Sequence, residues 1–251
     1  MDAWKRVGRL IALLGLAVLA VCAPAQEPNV EEILRHLDAL YRSRTSHGRL
    51  EMTIITPHWE RTMELEIWTE GMEKTLILIH APKKDAGTAT LRIGSEMWNY
   101  FPKIDKVMKV PPSMMGASWM GSDFTNDDLV RETSYQEDYT ARLLPSEDPE
   151  TYAIELVPHQ DTPTVWGRIV MTVRRSDWIP VRFDFYDERG NRTRELRFSE
   201  VRTLGGRTIP TVMEVVPLTK EGHRTVVRYL EAAFDIELPR DLFSLRSLRR
   251  G

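Results

Sequence analysis

The densest group of residues that could do chemistry lies mid-chain. Asp123, Asp127 and Asp128 place three carboxylates within six residues. Hard cations such as calcium take oxygen donors of this kind, but the spacing is not that of a calcium-binding helix–loop–helix. The same residues also suit the start of a short helix. Thr125 stands as its cap, Asp128 occupies the capping-box position, and acidic groups favour the positive helix end. Ser122 and Asp123 could instead fix the neighbouring loop through backbone N–H groups. The histidines are His36, His47, His58, His80, His159 and His223, and none form a pair with metal-ligand spacing. No zinc-protease helix, Gly-x-Ser-x-Gly elbow, phosphate-binding loop or dinucleotide fingerprint occurs. The expectation is no catalytic residue, no metal and no cofactor. A lipid hydrolase is an enzymatic rival that lacks a nucleophile motif.

Binding is better represented than catalysis. Residues 102–132 hold Pro111-Pro112, Gly116 and Gly121, yet carry Met114, Met115, Trp119, Met120 and Phe124. Loops run over the surface and are normally polar. Methionine adapts its shape and suits variable apolar contacts. The segment therefore reads either as an apolar lid or plug, or as side chains that complete a core. With Trp98 and Tyr100 just upstream, Met114, Met115, Trp119, Met120 and Phe124 are the candidate lid or cavity residues. Lys103, Lys106 and Lys109 recur every third residue. Such lysines guard a sheet edge against aggregation, or meet lipid phosphate or an anionic membrane surface.

These residues need a frame. Val30, Ile33, Leu34, Leu37, Leu40 and Tyr41 recur at helical spacing after an Asn29 cap, with Glu32 completing a capping-box-like start and Gly48 as the expected end. From Leu50 the period becomes two. Met63, Leu65 and Ile67 alternate with Glu64 and Glu66. Short strands follow at 75–79, 91–93, 98–101 and 107–110, and the pattern resumes beyond 138 through Ile154, Met171, Phe183, Leu196, Met213 and Val227. Turns at Gly190, Gly205-Gly206 and Gly222 separate them. About a dozen strands at this spacing predict a mainly β fold, sandwich or barrel. Val212, Val216, Val226 and Leu230 place apolar residues on the second face of their strands. Parts of the sheet are thus covered on both sides, or one side meets a ligand. Arg246, Arg249 and Arg250 read as a solvated tail.

Composition narrows the class. The 251 residues carry a net charge of −3 with 42% hydrophobic residues, enough for one sizeable core and too little basic excess for a nucleic-acid binder. Lys5, Arg6 and Arg9 precede a 13-residue uncharged apolar run, Leu10 to Cys22, and then Ala23-Pro24-Ala25. That is the pattern of a secretory signal peptide, residues 1–25, leaving 26–251 as a single domain. Cys22, the only cysteine, allows a second reading as a lipid-modified terminus, though Val21 is larger than that pattern prefers. Cleavage after Ala25 is the favoured reading.

Specific words in the sequence add a resemblance. Trp98-Asn99-Tyr100-Phe101-Pro102, the lysine and valine strand after it, Met120 to Leu129 (MGSDFTNDDL) and Leu238 to Ser244 (LPRDLFS) are similar to the outer-membrane lipoprotein-sorting family, the LolA/LolB-like proteins. The resemblance implies an incomplete, unclosed antiparallel β-barrel around helices, with an apolar cavity for acyl chains and a short helix and loop as lid. It implies a non-enzymatic periplasmic carrier of lipoprotein or lipid acyl chains, and a monomer is the expected state. Its donor would be an inner-membrane transporter, its acceptor would lie at the outer membrane, and nucleic acid is not a partner. The broader group also includes export-pump-associated and envelope-stress regulatory proteins, so a lipid-sensing regulator of the same fold is the alternative. A scaffold module with a filled core is a third.

Overall fold

The structure is a computed structural model that describes residues 28–41, 43–130, 134–162 and 164–249. Residues 1–25, which the sequence reading takes as a signal peptide and which include Cys22, and Arg250 lie outside the described residues. One antiparallel sheet dominates. Its strands are β1 (Thr45–Ile55), β2 (Glu60–Glu70), β3 (Lys74–Ala81), β4 (Ala89–Ile93), β5 (Glu96–Phe101) and β6 (Lys106–Lys109). After a long crossing come β7 (Tyr139–Leu144), β8 (Thr151–Pro158), β9 (Arg168–Arg174), β10 (Pro180–Tyr186), β11 (Arg192–Leu204), β12 (Arg207–Pro217) and β13 (Arg224–Phe234).

The order across the sheet is β6-β5-β4-β3-β2-β1-β13-β12-β11-β10-β9-β8-β7. Each half is a meander, and β1 joins the halves by pairing with β13. The sheet does not close: β6 and β7 remain its two edges. Lys106 and Lys109 stand exposed on the β6 edge, where charged side chains oppose pairing with another chain.

Period two explains the layers. Cross-strand register places Phe198, Met213, Val227, Met52 and Met63 in one row over five adjacent strands. This row belongs to the inner face, which is apolar from one half of the sheet to the other. Two elements cover it. Helix α1 (Val30–Ala39) lays Ile33, Leu34 and Leu37 against Ile154, Met171 and Phe183 of the β7–β11 half. Asn29 caps it by accepting from Glu31 N at 3.0 Å, a contact whose loss costs about 0.5–2 kcal/mol. The crossing segment between β6 and β7 covers the β1–β3 half.

Three differences from the sequence reading are physical. The helix ends at Ala39, not at Gly48, because Tyr41 turns to stack on Tyr229 at 5.5 Å and donates to Pro210 O. Gly48 lies inside β1, where an added Cβ would meet Glu231 O at 3.2 Å and Ile67 at 3.4 Å. The C-terminal stretch is not simply a solvated tail. Arg246 and Arg249 are exposed, but Leu242, Phe243 and fully buried Leu248 pack on the outer face of β3–β5. That sheet region is therefore covered on both sides.

Candidate functional site

The crossing segment is built by its own hydrogen bonds. Pro111 and Pro112 end the β6 direction, since neither donates to a ladder, and a 3₁₀ turn, Pro112–Met114, follows. Ser118 bridges Thr125 across a tight turn. Trp119 N donates to Phe124 O at 2.8 Å, Asn126 N to Ala117 O at 2.9 Å, and Asp127 N to Met115 O at 2.7 Å. The turn takes two left-handed residues, Met120 at φ +52° and Gly121 at φ +79°. A methionine there is uncommon and persists only when its surroundings hold it. Arg61 does so by donating Nη2 to Met120 O. Helix α2 (Asn126–Val130) closes the segment with a reciprocal capping box: Asp128 Oδ2 accepts from Thr125 N at 2.8 Å, and Thr125 Oγ1 accepts from Asp128 N at 3.1 Å.

This compact unit sits on the inner face like a plug. Trp119 is 4% exposed, and its indole Nε1 donates to Thr90 Oγ1 at 3.1 Å. Thr90 in turn donates to Asn99 Oδ1 at 2.7 Å. A buried tryptophan needs that partner for its N–H. Around the ring lies a floor rich in methionine. Met52, Met63 and Met97 are buried there, and Met115, Met120 and Met213 pack against them. Six of the chain's 11 methionines thus share one cluster.

Polar contacts fasten the plug at its rim. Asp123 N donates to Thr225 Oγ1 at 2.9 Å, and Thr225 Oγ1 donates to Asp123 Oδ2 at 2.8 Å. Arg61 lies 3.6 Å from Asp85. Arg194, on the inner side of β11, pairs with Asp128 at 2.8 and 2.9 Å. Where the two covers meet, Asp38 of α1 accepts from Ser134 Oγ at 3.0 Å and from Tyr135 N at 3.1 Å. Burial and nearby Tyr229 push the Tyr41 phenol up, so it stays a neutral donor there.

Comparison with known proteins decides the family. A family model described as "Uncharacterized protein" matches residues 71–250. A DUF1329 family protein from Desulfovibrio piger superposes with a TM-score of 0.77 at 24% identity, covering 87% of this chain and 97% of that one. A putative outer membrane lipoprotein-sorting protein domain from Vibrio parahaemolyticus gives 0.74 at 20%, over 88% and 98%. A LolA superfamily protein from Nitrosomonas europaea gives 0.72 at 19%, over 88% and 99%. The chain belongs to the family of that model, and its fold is that of these LolA-like structures. No curated protein matches the chain.

The LolA-like sheet separates the residues singled out from sequence. Met115, Trp119, Met120 and Phe124 meet on the methionine floor. Met114 belongs to the same segment but is 52% exposed. Trp98 and Tyr100 point to the opposite face, beneath the C-terminal stretch, because they alternate with inward-facing Met97. There Lys109 Nζ lies 5.6 Å from the Trp98 ring centre, and Tyr100 donates to Asp105 at 3.3 Å. Beside them Trp68, Leu76, Leu78, Pro239 and Leu242 line a small apolar cavity of about 280 Å³.

The acidic trio is dispersed in role: Asp123 holds Thr225, and Asp128 caps α2 and meets Arg194. Ser122, rather than Asp123, bonds the loop backbone, donating to Trp119 O and accepting from Phe124 N. Among the described residues no group of three His, Cys, Asp or Glu is placed to hold a metal ion. His47 and His80 each meet one Glu66 oxygen at 2.7 Å on the outer face. Sequence reasoning missed the floor. Met63 and Met213 read as ordinary strand residues, Met52 and Met97 were passed over, and only the excess of methionine over leucine in facing strands could have marked the four. No helix among the described residues is long and apolar enough to cross a membrane.

Proposed function

We propose that this LolA-like chain is a periplasmic carrier that shields the acyl chains of a lipidated protein or lipid on its inner face. The methionine floor beneath the plug carries the reading. Unbranched, polarisable methionine side chains repack around changing shapes, which suits a surface that must hold the plug in one state and an alkyl chain in another. The cover is a separate segment anchored by a few rim contacts, so it can be exchanged for ligand without breaking strand pairing.

The energetic need is large. Each buried CH₂ is worth about 0.8 kcal/mol, so a 16-carbon chain left in water costs roughly 12 kcal/mol. A carrier must offer a comparable apolar surface. Direction then comes from differential affinity, with loading from an inner-membrane transporter and release to an outer-membrane acceptor that holds the chain better. No bond is made or broken in this cycle.

The test uses half-buried plug residues, which perturb the floor less than Trp119 does. Met120→Asp with Phe124→Asp loosens the plug that the ligand must displace and is expected to strengthen binding of a fluorescent fatty acid by about tenfold or more, with the circular dichroism of the sheet retained. Unchanged affinity removes the plug and its floor from the site.

A further inference from the structure

Arg194 is a cation set into an apolar face. Its cross-strand partners are Phe185 on β10 and Pro217 on β12. Its guanidinium carbon lies 5.2 Å from the Phe185 ring centre and 5.7 Å from those of Phe124 and Trp166. The side chain is 11% exposed. A cation withdrawn from water this far requires an anion beside it, and Asp128 supplies one.

The pairing is incomplete in an informative way. Both Asp128 oxygens are taken by a single nitrogen, Nη1, at 2.8 and 2.9 Å. Nε is buried without a hydrogen-bond partner. A guanidinium matches a carboxylate or phosphate best through two parallel N–H groups, and that fork is not used here. Nor does Asp128 belong to the sheet. It sits on α2 of the plug, where it also accepts from Thr125 N and Oγ1. When the plug leaves the inner face, its anion and Phe124 leave too, while Arg194 stays on β11 beside Phe185 and Trp166.

We infer that Arg194 anchors the acidic head group of the acyl ligand, a carboxylate or a phosphate, and that Asp128 stands in for it when the plug is closed. This rests on the carrier reading, because it needs the plug to yield to a ligand. The alkyl chain would lie along the methionine floor, with its anionic end at the seam between the two covers.

Three probes with the same 16-carbon chain separate the sources of the anion: hexadecanoate, hexadecyl phosphate and hexadecanol. They are titrated at pH 8 into the wild type, Arg194→Gln, Arg194→Lys and Asp128→Asn. At least one anionic probe is expected to bind the wild type about tenfold tighter than the alcohol, the range of charge-assisted hydrogen bonding. Arg194→Gln brings that probe toward the alcohol, and Arg194→Lys, which keeps the charge but not the fork, falls between them. Asp128→Asn raises affinity for the same anionic probe, because the internal competitor is gone. Whichever probe gains names the head group. Equal binding of all three chains, a preference that survives Arg194→Gln, or no gain with Asp128→Asn overturns the inference and leaves the carrier reading standing. Failure of every probe to bind the wild type overturns the carrier reading itself.

Discussion

Asp123 and Thr225 hold each other by two bonds through a single hydroxyl. Thr225 Oγ1 accepts from Asp123 N at 2.9 Å and donates to Asp123 Oδ2 at 2.8 Å. Thr225 is fully buried on β13, next to the central strand pair, so this contact ties the plug to the middle of the sheet. Thr225→Val keeps the shape and removes both bonds, at a cost of about 1–3 kcal/mol for the unpaired groups. Hydrogen exchange read by mass spectrometry should then show faster exchange at amides 117–126 with β13 still protected. Equal protection of the plug in both proteins would mean that other contacts hold it.

Trp119 separates packing from hydrogen bonding. Trp119→Ala empties the centre of the methionine cluster and should cost about 3–5 kcal/mol. Trp119→Phe keeps much of the apolar volume but leaves Thr90 without its indole donor, for about 1–3 kcal/mol. Urea unfolding midpoints check the order. If the phenylalanine variant is as unstable as alanine, the floor does not adapt as methionine should.

The C-terminal stretch is a structural cover of the outer face. Leu248 is fully buried against Leu76, Ala89 and Leu91. Leu248→Ala should destabilise by about 2–5 kcal/mol, and thermal unfolding measures it. A change near zero would show that this stretch adds nothing to the stability of β3–β5.

Acid should loosen the opposite half of the outer face. Hydrogen bonding from Arg142 holds the Glu155 carboxyl below its usual range against burial, with help from Arg168. Burial is the largest effect on Glu195 and pushes its carboxyl up. Arg197, Arg192 and Arg182 together outweigh it and leave it lowered. A carboxyl lowered in the folded state adds stability above its unfolded pKa, about 4.3, and that gain is lost as pH falls through the folded value. Melting temperature should therefore drop on acidification below roughly pH 5. Glu155→Gln should flatten the drop while lowering stability at neutral pH. An unchanged profile would show that Glu155 is not ionised differently on folding.

Much of the frame was legible in local pattern, because period two is a local property. Met63, Leu65 and Ile67 marked β2, and Thr125 with Asp128 marked the cap of α2. What escaped depends on register. Alternation says that Trp98 and Tyr100 share a face, but not which face carries the plug, and that is set by pairing across the sheet. The same holds for Met52, Met63, Met97 and Met213, which lie far apart in the chain and meet only when the strands align. Strand β7 alternates weakly, with Arg142 between Ala141 and Leu143. Leu242, Phe243 and Leu248 follow neither a helical nor a strand period, and the arginines beside them suggested solvent.

Whether the inner face carries an acyl chain is read by native mass spectrometry of the protein purified from its own host, with hexadecanoate added to a second portion. A carrier shows extra mass of lipid or acyl-bearing size that leaves on denaturation, and any empty fraction takes up one added chain. A protein that emerges bare and also takes up no added chain would contradict the carrier reading.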